Sequence, residues 1–140
     1  MVFAAITITG CAEVLENKRL QSYKVGHTAT ATIGEPFLVD QAGSVRTVKR
    51  WVGLINAPGG WKVEDEYSRD YIRKELIYSG RSGGAIDVSY REFRGGFAAP
   101  AFFQNLKYDL SASSIIRFQR FTIEVISADN QSITYKILSD

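Results

Sequence analysis

The single cysteine of this 140-residue chain stands where its thiol could accept a lipid. It closes the segment Ile8-Thr9-Gly10-Cys11, in which an aliphatic residue and two small residues precede the cysteine, the pattern of a bacterial lipobox. On this interpretation residues 1–11 are a lipoprotein signal, and Cys11 becomes the acylated first residue of the mature protein. The acyl chains would then attach the domain to a membrane.

The residues ahead of Cys11 also fit a β-strand. Residues 1–10 contain no Lys and no Arg, so the positively charged start of a secretory signal is missing and the signal would be truncated. The even positions are apolar and would share one face of a strand: Val2, Ala4, Ile6 and Ile8. Both interpretations stay open. With Cys11 processed, the protein belongs to the bacterial cell envelope, facing the periplasm; otherwise it is cytoplasmic.

The other residues that could do chemistry do not combine into a known catalytic or metal site. General acid–base catalysis most often uses histidine, and the only one, His27, lies in a Thr-rich run where a surface position is expected. The acidic run at 64–66 lacks the spacing of a calcium loop, and the glycine-rich segment at 80–84 lacks the lysine and helix of a phosphate loop. We therefore expect no enzyme, no metal and no cofactor.

The composition predicts one ordinary globular domain. Hydrophobic residues make up 45% of the chain and charged residues 23%, which argues against disorder. The formal net charge of +2 is spread along the chain without long runs, so nothing in it requires a polyanionic partner. Residues 12–25 begin with good helix formers and predict a tether or short helix, and residues 26–140 predict a single β domain.

From Gly26 onward, alternating apolar residues separated by turn signals predict antiparallel strands. Within the candidate strand Ile115–Ile126 the apolar residues change from even to odd positions, which predicts a β-bulge near Gln119-Arg120. The expected fold is all-β, an antiparallel β-sandwich or partly open β-barrel of about seven or eight strands with at most one or two short helices. The candidate strands are His27–Ile33, Phe37–Val39, Val45–Ile55, Tyr71–Ser79, Ala85–Phe93, Ile115–Ile126 and Ser132–Leu138.

An apolar segment at residues 95–103 contains three phenylalanines and is predicted as a loop, because Pro100 argues against a central strand. Such a loop either covers one end of the fold or forms an interface. Together with polar residues of the neighbouring hairpin it gives a candidate binding surface. Its members are Arg81, Tyr90, Arg91, Glu92, Phe97, Phe102 and Phe103.

Several phrases in about the last 65 residues resemble a family of uncharacterised bacterial lipoproteins. ELIYSGRSG at 75–83 and VSYREF at 88–93 are fairly specific together, and PAF at 100–102, YDL at 108–110 and ITYK at 133–136 accompany them. The resemblance implies an exported, β-rich domain behind a lipidated cysteine, which agrees with Cys11. It implies no activity.

The function expected from these observations is a non-catalytic binding module of the cell envelope, with an envelope protein or a cell-wall component as partner. One alternative is a small barrel that carries a hydrophobic ligand. Another is single-stranded nucleic acid binding, suggested by mixed basic and aromatic runs at 49–51, 90–91 and 117–121, although most of these aromatics fall on the inward phase of their strands. Exposed edges at 27–33 and 1–9 also predict homo-oligomers by strand pairing.

Overall fold

The computed structural model describes residues 12–18, 22–95 and 97–140, and in these residues the fold is all-β. Apart from a 3-10 turn at Pro58–Gly60, the regular elements of this part of the chain are strands. They are β1 Glu13–Lys18, β2 Thr28–Thr32, β3 Pro36–Ala42, β4 Val45–Trp51, β5 Trp61–Tyr67, β6 Ile72–Ser82, β7 Ala85–Arg94, β8 Phe97–Asp109, β9 Ile115–Phe118, β10 Phe121–Ala128 and β11 Ser132–Ser139.

Two four-stranded antiparallel sheets pack face to face, as predicted for a sandwich. The front sheet has the strand order β2-β11-β10-β9 and the back sheet the order β3-β6-β7-β8. A smaller sheet, β1-β4-β5, carries the hairpin formed by β4 and β5. The all-β class is thereby confirmed, and the described strands outnumber the seven or eight expected.

The core lies between the front and back sheets and is built from alternate residues of their strands. Side chains in a strand point to opposite faces in turn, so one apolar residue in two reaches the interior. The alternation predicted for β7 and β11 is confirmed, since the apolar residues Ile86, Val88 and Tyr90 of β7 and Ile133, Tyr135 and Ile137 of β11 are buried and the residues between them are not. The largest fully buried side chains are Tyr78, Phe37 and Phe121, and their rings fill the space between the sheets.

The short helix or tether expected at residues 12–25 is wrong for residues 13–18, which form β1. This strand runs antiparallel to β4, with Glu13 opposite Lys49 and Lys18 opposite Val45. Helix propensity is a weak preference that tertiary pairing overrides, and an available strand edge on β4 provides that pairing. Residues 1–11, including Cys11, lie outside the described residues, so the lipobox and the first strand both stay predictions.

The apolar segment predicted as a loop is the first half of β8. This strand runs for 13 residues from Phe97 to Asp109 and pairs with β7. Among the described strands β8 lies at the edge of the back sheet and pairs on one side only, with β7, so a proline is tolerated there. Pro100 was therefore a signal for an edge strand rather than for a loop.

The β-bulge predicted near Gln119-Arg120 is a two-residue hairpin turn. Phe118 ends β9 and is paired with Phe121, which begins β10. The chain reverses between them, so residues of odd and even number on the two strands reach the same interior. This reversal explains the phase change seen in the sequence.

The back sheet extends beyond the front sheet at one end. The turn between β9 and β10 contacts the back sheet at Asp40 of β3 and Lys74 of β6, which are cross-strand partners. Arg120 forms an ion pair with Asp40 at 2.9 Å, and the Lys74 ammonium donates to the side-chain oxygen of Gln119 at 2.7 Å. The β6–β7 ladder continues past Lys74 to Ile72 and its partner on β7. Inward-facing side chains at this end therefore meet solvent.

Tyr78 links the two sheets, and its removal tests how the sandwich is held together. Its ring is fully buried, and its hydroxyl donates to the carbonyl of Asp129 in the β10–β11 turn. Tyr78→Phe removes this bond and should lower the free energy of unfolding by about 1 kcal/mol. Urea denaturation measures the change. Tyr67→Phe, at a ring that is more than a third exposed, is the control and should change stability by less than about 0.5 kcal/mol. Equal losses in both variants would contradict the role of Tyr78.

Candidate functional site

A cleft of about 600 Å³ opens where the back sheet extends beyond the front sheet. We call it the end cleft. It lies between the ends of β7 and β8 and the turn that joins β9 to β10. Its lining residues are Tyr90, Glu92, Arg94, Phe102, Gln104, Phe118 and Gln119.

Strand register brings the lining residues of the back sheet together. Tyr90 and Glu92 are alternate residues of β7 and share one face. Their cross-strand partners on β8 are Gln104 and Phe102, respectively. Further along β7 toward the opposite end, the same face carries the buried core residue Val88. The face therefore changes from apolar to polar near Glu92, where the front sheet ends.

Aromatic rings form the floor of the end cleft. The Tyr90 and Phe118 rings are buried with their centroids 4.8 Å apart. The Phe102 ring packs edge-to-face on Tyr90 at 5.9 Å, and 58% of Phe102 remains exposed. An apolar floor with an accessible ring is typical of ligand pockets.

Hydrogen bonds fix the polar wall of the cleft. The Tyr90 hydroxyl donates to one Glu92 carboxylate oxygen at 2.6 Å, and Arg94 Nε donates to the other at 2.7 Å. Gln119 Nε2 donates to the Tyr90 hydroxyl at 3.5 Å, while Lys74 holds the amide oxygen of Gln119. Glu92 and Gln119 are thus each bonded through both of their polar atoms before any ligand arrives.

The pKa values of Tyr90 and Glu92, the two groups at the centre of the network, are both shifted away from neutral pH. Burial raises the pKa of Tyr90 to about 12, and the bond to the Glu92 carboxylate adds to the rise. The hydrogen bond from Tyr90 lowers the pKa of Glu92 below its usual value, with Arg94 contributing. At neutral pH Glu92 is a carboxylate and Tyr90 is a neutral phenol. Neither group is poised to exchange a proton near pH 7, as a general acid or base would be.

Gln119 adopts a backbone conformation that its side chain disfavours. Its φ is 50°, in the left-handed region that glycine and asparagine favour. Backbone conformations of this kind cost on the order of 1 kcal/mol and are often found at functional sites. Here the strained residue is the one whose side chain forms part of the cleft wall.

The structure brings together three of the residues predicted as a binding surface and separates the others. Tyr90, Glu92 and Phe102 line the end cleft. Arg81 lies at the opposite end of β6, where it donates to the carbonyls of Gly83 and Ala128. Cys11 and the side chain of Phe97 lie outside the described part of the chain.

Arg91 and Phe103 occupy the outer face of the back sheet, where they are cross-strand partners. Arg91 and Arg73 flank the carboxylate of Glu75, which is only 4% exposed, and Arg91 Nη2 lies 2.9 Å from it. These groups form an ion cluster on the face opposite the end cleft.

The predicted binding surface left out four residues of the cleft, Arg94, Gln104, Phe118 and Gln119, of which the last two belong to the run at 117–121 that suggested nucleic acid binding. The alternation of β7 could have indicated Arg94, which follows Glu92 by two residues. The other three come from β8 and from the end of β9 with its following turn, so their positions depend on long-range pairing that no local pattern contains.

The remaining chemical candidates are distributed over the surface. His27 is exposed, with Nδ1 3.3 Å from the carbonyl oxygen of Val25. Glu64 and Glu66 belong to β5 and form ion pairs with basic residues of the same hairpin. Among the residues with described placement, no group of three or more His, Cys, Asp or Glu side chains could hold a metal ion. None of the helical segments described is long and apolar enough to cross a membrane.

The basic and aromatic runs that suggested nucleic acid binding differ in exposure. Tyr90, Phe118 and Phe121 are buried, so their faces are not accessible to bases. Trp51 is 49% exposed, contrary to the inward orientation expected for these aromatics.

Comparison of the chain with protein-family models, with curated proteins and with solved structures finds no match.

The hydrogen bond between Tyr90 and Glu92 gives a titration test. Tyr90→Phe removes the largest cause of the lowered Glu92 pKa, so that pKa should rise, as measured by carbon NMR of the side-chain carboxyl. Because the folded pKa is the lower one, the stabilisation is present above the unfolded value of about 4.3 and is lost as pH falls through the folded value. The stability difference between the two proteins should therefore shrink in acid.

Tyr108→Phe is the control for this titration, since the Tyr108 hydroxyl donates to the backbone carbonyl of Arg117 and not to a carboxylate. It should leave the Glu92 pKa unchanged. A Glu92 pKa that stays the same in Tyr90→Phe would contradict the assigned network.

Proposed function

We propose that this chain is a non-catalytic binding domain of the bacterial cell envelope, and that the end cleft is its ligand site. The observation that carries the proposal is the convergence of four planar polar side chains around the accessible ring of Phe102. Pockets with an apolar floor and a few oriented polar groups are the usual sites for small or linear ligands. The four polar side chains are Glu92, Arg94, Gln104 and Gln119.

The fixed hydrogen bonds of the cleft wall support binding. A side chain that is already ordered loses little freedom when a ligand arrives, so more of the contact energy appears as affinity. Glu92 is held by both Tyr90 and Arg94, and Gln119 is held by Lys74. The strained backbone of Gln119 supports the same interpretation, since strain of this kind often accompanies a functional constraint.

A neutral polyhydroxylated ligand, such as a cell-wall glycan, fits this lining best. A carboxylate accepts hydrogen bonds, a guanidinium donates them and amides do both, which suits hydroxyl groups that also donate and accept. The opposite charges of Glu92 and Arg94 are paired, so the site does not require a charged ligand. An apolar protein anchor would instead desolvate the polar wall without giving it hydrogen bonds.

Soluble peptidoglycan fragments titrated into the full chain test the proposal, with amide NMR shifts as the readout. We expect the largest shifts at the lining residues of the end cleft. Phe102→Ala should weaken binding about tenfold, because it removes a ring contact worth about 1.4 kcal/mol. Gln104→Ala should also weaken it.

Asn105→Ala is the matched control, because Asn105 follows Gln104 on β8 and points to the other face of the strand. It should leave the affinity unchanged. Shifts confined to another surface, or equal weakening by Asn105→Ala, would refute the cleft as the glycan site. Binding of an envelope protein but not of fragments would assign the cleft to a protein partner.

The envelope location is supported by the lipobox and by the family resemblance, and it has its own test. When the gene is expressed in bacteria with its natural upstream region, mass spectrometry should find acyl chains on Cys11. Cys11→Ser should yield no acylated product, so that a carbonate wash removes the protein from the membrane fraction, which it should not do to the acylated parent. An unmodified cytosolic product would refute the envelope location and would leave the assignment of the end cleft untouched.

A further inference from the structure

The hairpin of β4 and β5 presents a strongly exposed apolar apex. In the connection at 52–60, Ile55 is fully exposed and Leu54 is 72% exposed. Trp51 and Trp61 close the hairpin as cross-strand partners, with their rings edge-to-face at 5.2 Å, and close to half of each is exposed. We call these four residues the hairpin tip.

The connection that carries Leu54 and Ile55 is held by its own hydrogen bonds. Val52 donates its backbone N–H to the carbonyl of Gly60 at 2.9 Å, and the side chain of Asn56 donates to the carbonyl of Val52 at 2.8 Å. Gly60 has a φ of 75°, and a Cβ at this position would overlap the Trp51 ring. These bonds give the connection a defined conformation, in which the side chains of Leu54 and Ile55 are exposed to solvent. Contiguous exposed apolar groups of this kind mark interaction sites.

Charges are arranged in layers behind the hairpin tip. The first cross-strand pair below the tryptophans is Arg50 with Lys62, and the next is Lys49 with Val63. On β5 the first acidic residue, Glu64, comes one pair further from the tip, and on β1 Glu13 stands opposite Lys49.

The basic residues of these layers differ in how far acidic partners offset their charge. Lys49 Nζ lies 5.0 Å from the centre of the Trp61 ring. Arg50 and Lys62 form ion pairs with Glu64, and Arg50 also with Glu66, so their charge is partly offset. The backbone positions of these basic residues nevertheless lie nearer the tip than those of Glu64 and Glu66.

We propose that the hairpin tip binds a lipid bilayer. The hairpin presents aliphatic side chains at its apex, tryptophans behind them and cations next. A membrane presents its hydrocarbon, its interface and its anionic headgroups in the same order from the interior outward. Leu54 and Ile55 enter the acyl boundary, the two tryptophans lie at the headgroup level, and Lys49 faces the phosphates. Single-stranded nucleic acid would use the tryptophan rings but would gain no base stacking from the aliphatic apex.

The direction of β1 agrees with this proposal. Glu13, the first residue of β1, is paired with Lys49, so the chain enters β1 at the end of the small sheet where the hairpin tip lies. Cys11 precedes Glu13 by two residues in the sequence, so a lipid on Cys11 would be joined to the chain close to the start of β1. The tip proposal itself depends neither on this modification nor on the end cleft.

Intrinsic fluorescence tests the proposal without a label, because the two tryptophans of the chain are both in the hairpin tip. The full chain carrying Cys11→Ser is titrated with vesicles of phosphatidylglycerol and phosphatidylethanolamine. We expect a blue shift of the emission and quenching by brominated acyl chains. The double variant Leu54→Asn, Ile55→Asn should weaken vesicle binding at least tenfold, because each apolar side chain buried in lipid contributes about 1.5–3 kcal/mol, a factor of ten or more.

Three variants serve as controls, and thermal melting checks that each is folded. Ile126→Asn changes an aliphatic residue of the front sheet that is 52% exposed, and this variant should bind vesicles like the parent. Lys49→Gln should weaken binding several-fold on anionic vesicles and leave it unchanged on zwitterionic ones. Phe102→Ala should not alter vesicle binding, so failure of the tip proposal is distinguishable from failure of the cleft proposal.

Four outcomes would overturn the proposal. They are an unchanged emission spectrum with vesicles, a shift that persists in the Leu54 and Ile55 double variant, a shift produced by single-stranded oligonucleotides but not by vesicles, or a concentration-dependent dimer that buries the tip, seen by light scattering.

Discussion

The unequal length of the two packed sheets determines where the end cleft lies. β7 has 10 residues and β8 has 13, whereas β9 has 4 and β10 has 8. At about 3.3 Å per residue, β7 is longer than β10 by roughly 7 Å. Beyond the turn between β9 and β10, no strand among the described residues covers the inward face of the back sheet. Polar side chains therefore follow Tyr90 along β7, and they become the wall of a cleft.

The polar residues at this end position the cleft and contribute little to the stability of the fold. Arg120 with Asp40 and Lys74 with Gln119 join the turn to the back sheet, and each such pair near the surface is worth at most about 1 kcal/mol. The stability comes instead from the buried aromatic and aliphatic side chains between the sheets. This division lets the polar cleft residues vary without loss of the sandwich, because the core does not depend on them, whereas Tyr90 and Phe118 of the cleft floor also belong to the core.

The sequence predicted the elements in which polar and apolar residues alternate, and it missed those determined by pairing. β7 and β11 follow the alternation, and turn residues mark their ends. β1 was hidden because its residues are good helix formers, and β8 because a proline and consecutive apolar residues obscure its period. The turn at Gln119 contains neither glycine nor asparagine, so no turn signal was present. Tyr90, Glu92 and Phe102 were identified from composition, but their proximity comes from the register of β7 with β8.

The end cleft and the hairpin tip extend from the same end of the back sheet. β4 begins three residues after β3 ends, and β5 ends five residues before β6 begins, so the base of the hairpin joins the end at which Ile72 pairs with Arg94. Ser44 and Ser68 close this base through a hydrogen bond of 3.0 Å between their backbones. The seven-residue strands β4 and β5 then separate the tip from the base by roughly 20 Å. A domain held at a bilayer by its hairpin tip would thus keep the end cleft within a few nanometres of the membrane surface, where a cell-wall ligand would have to reach it.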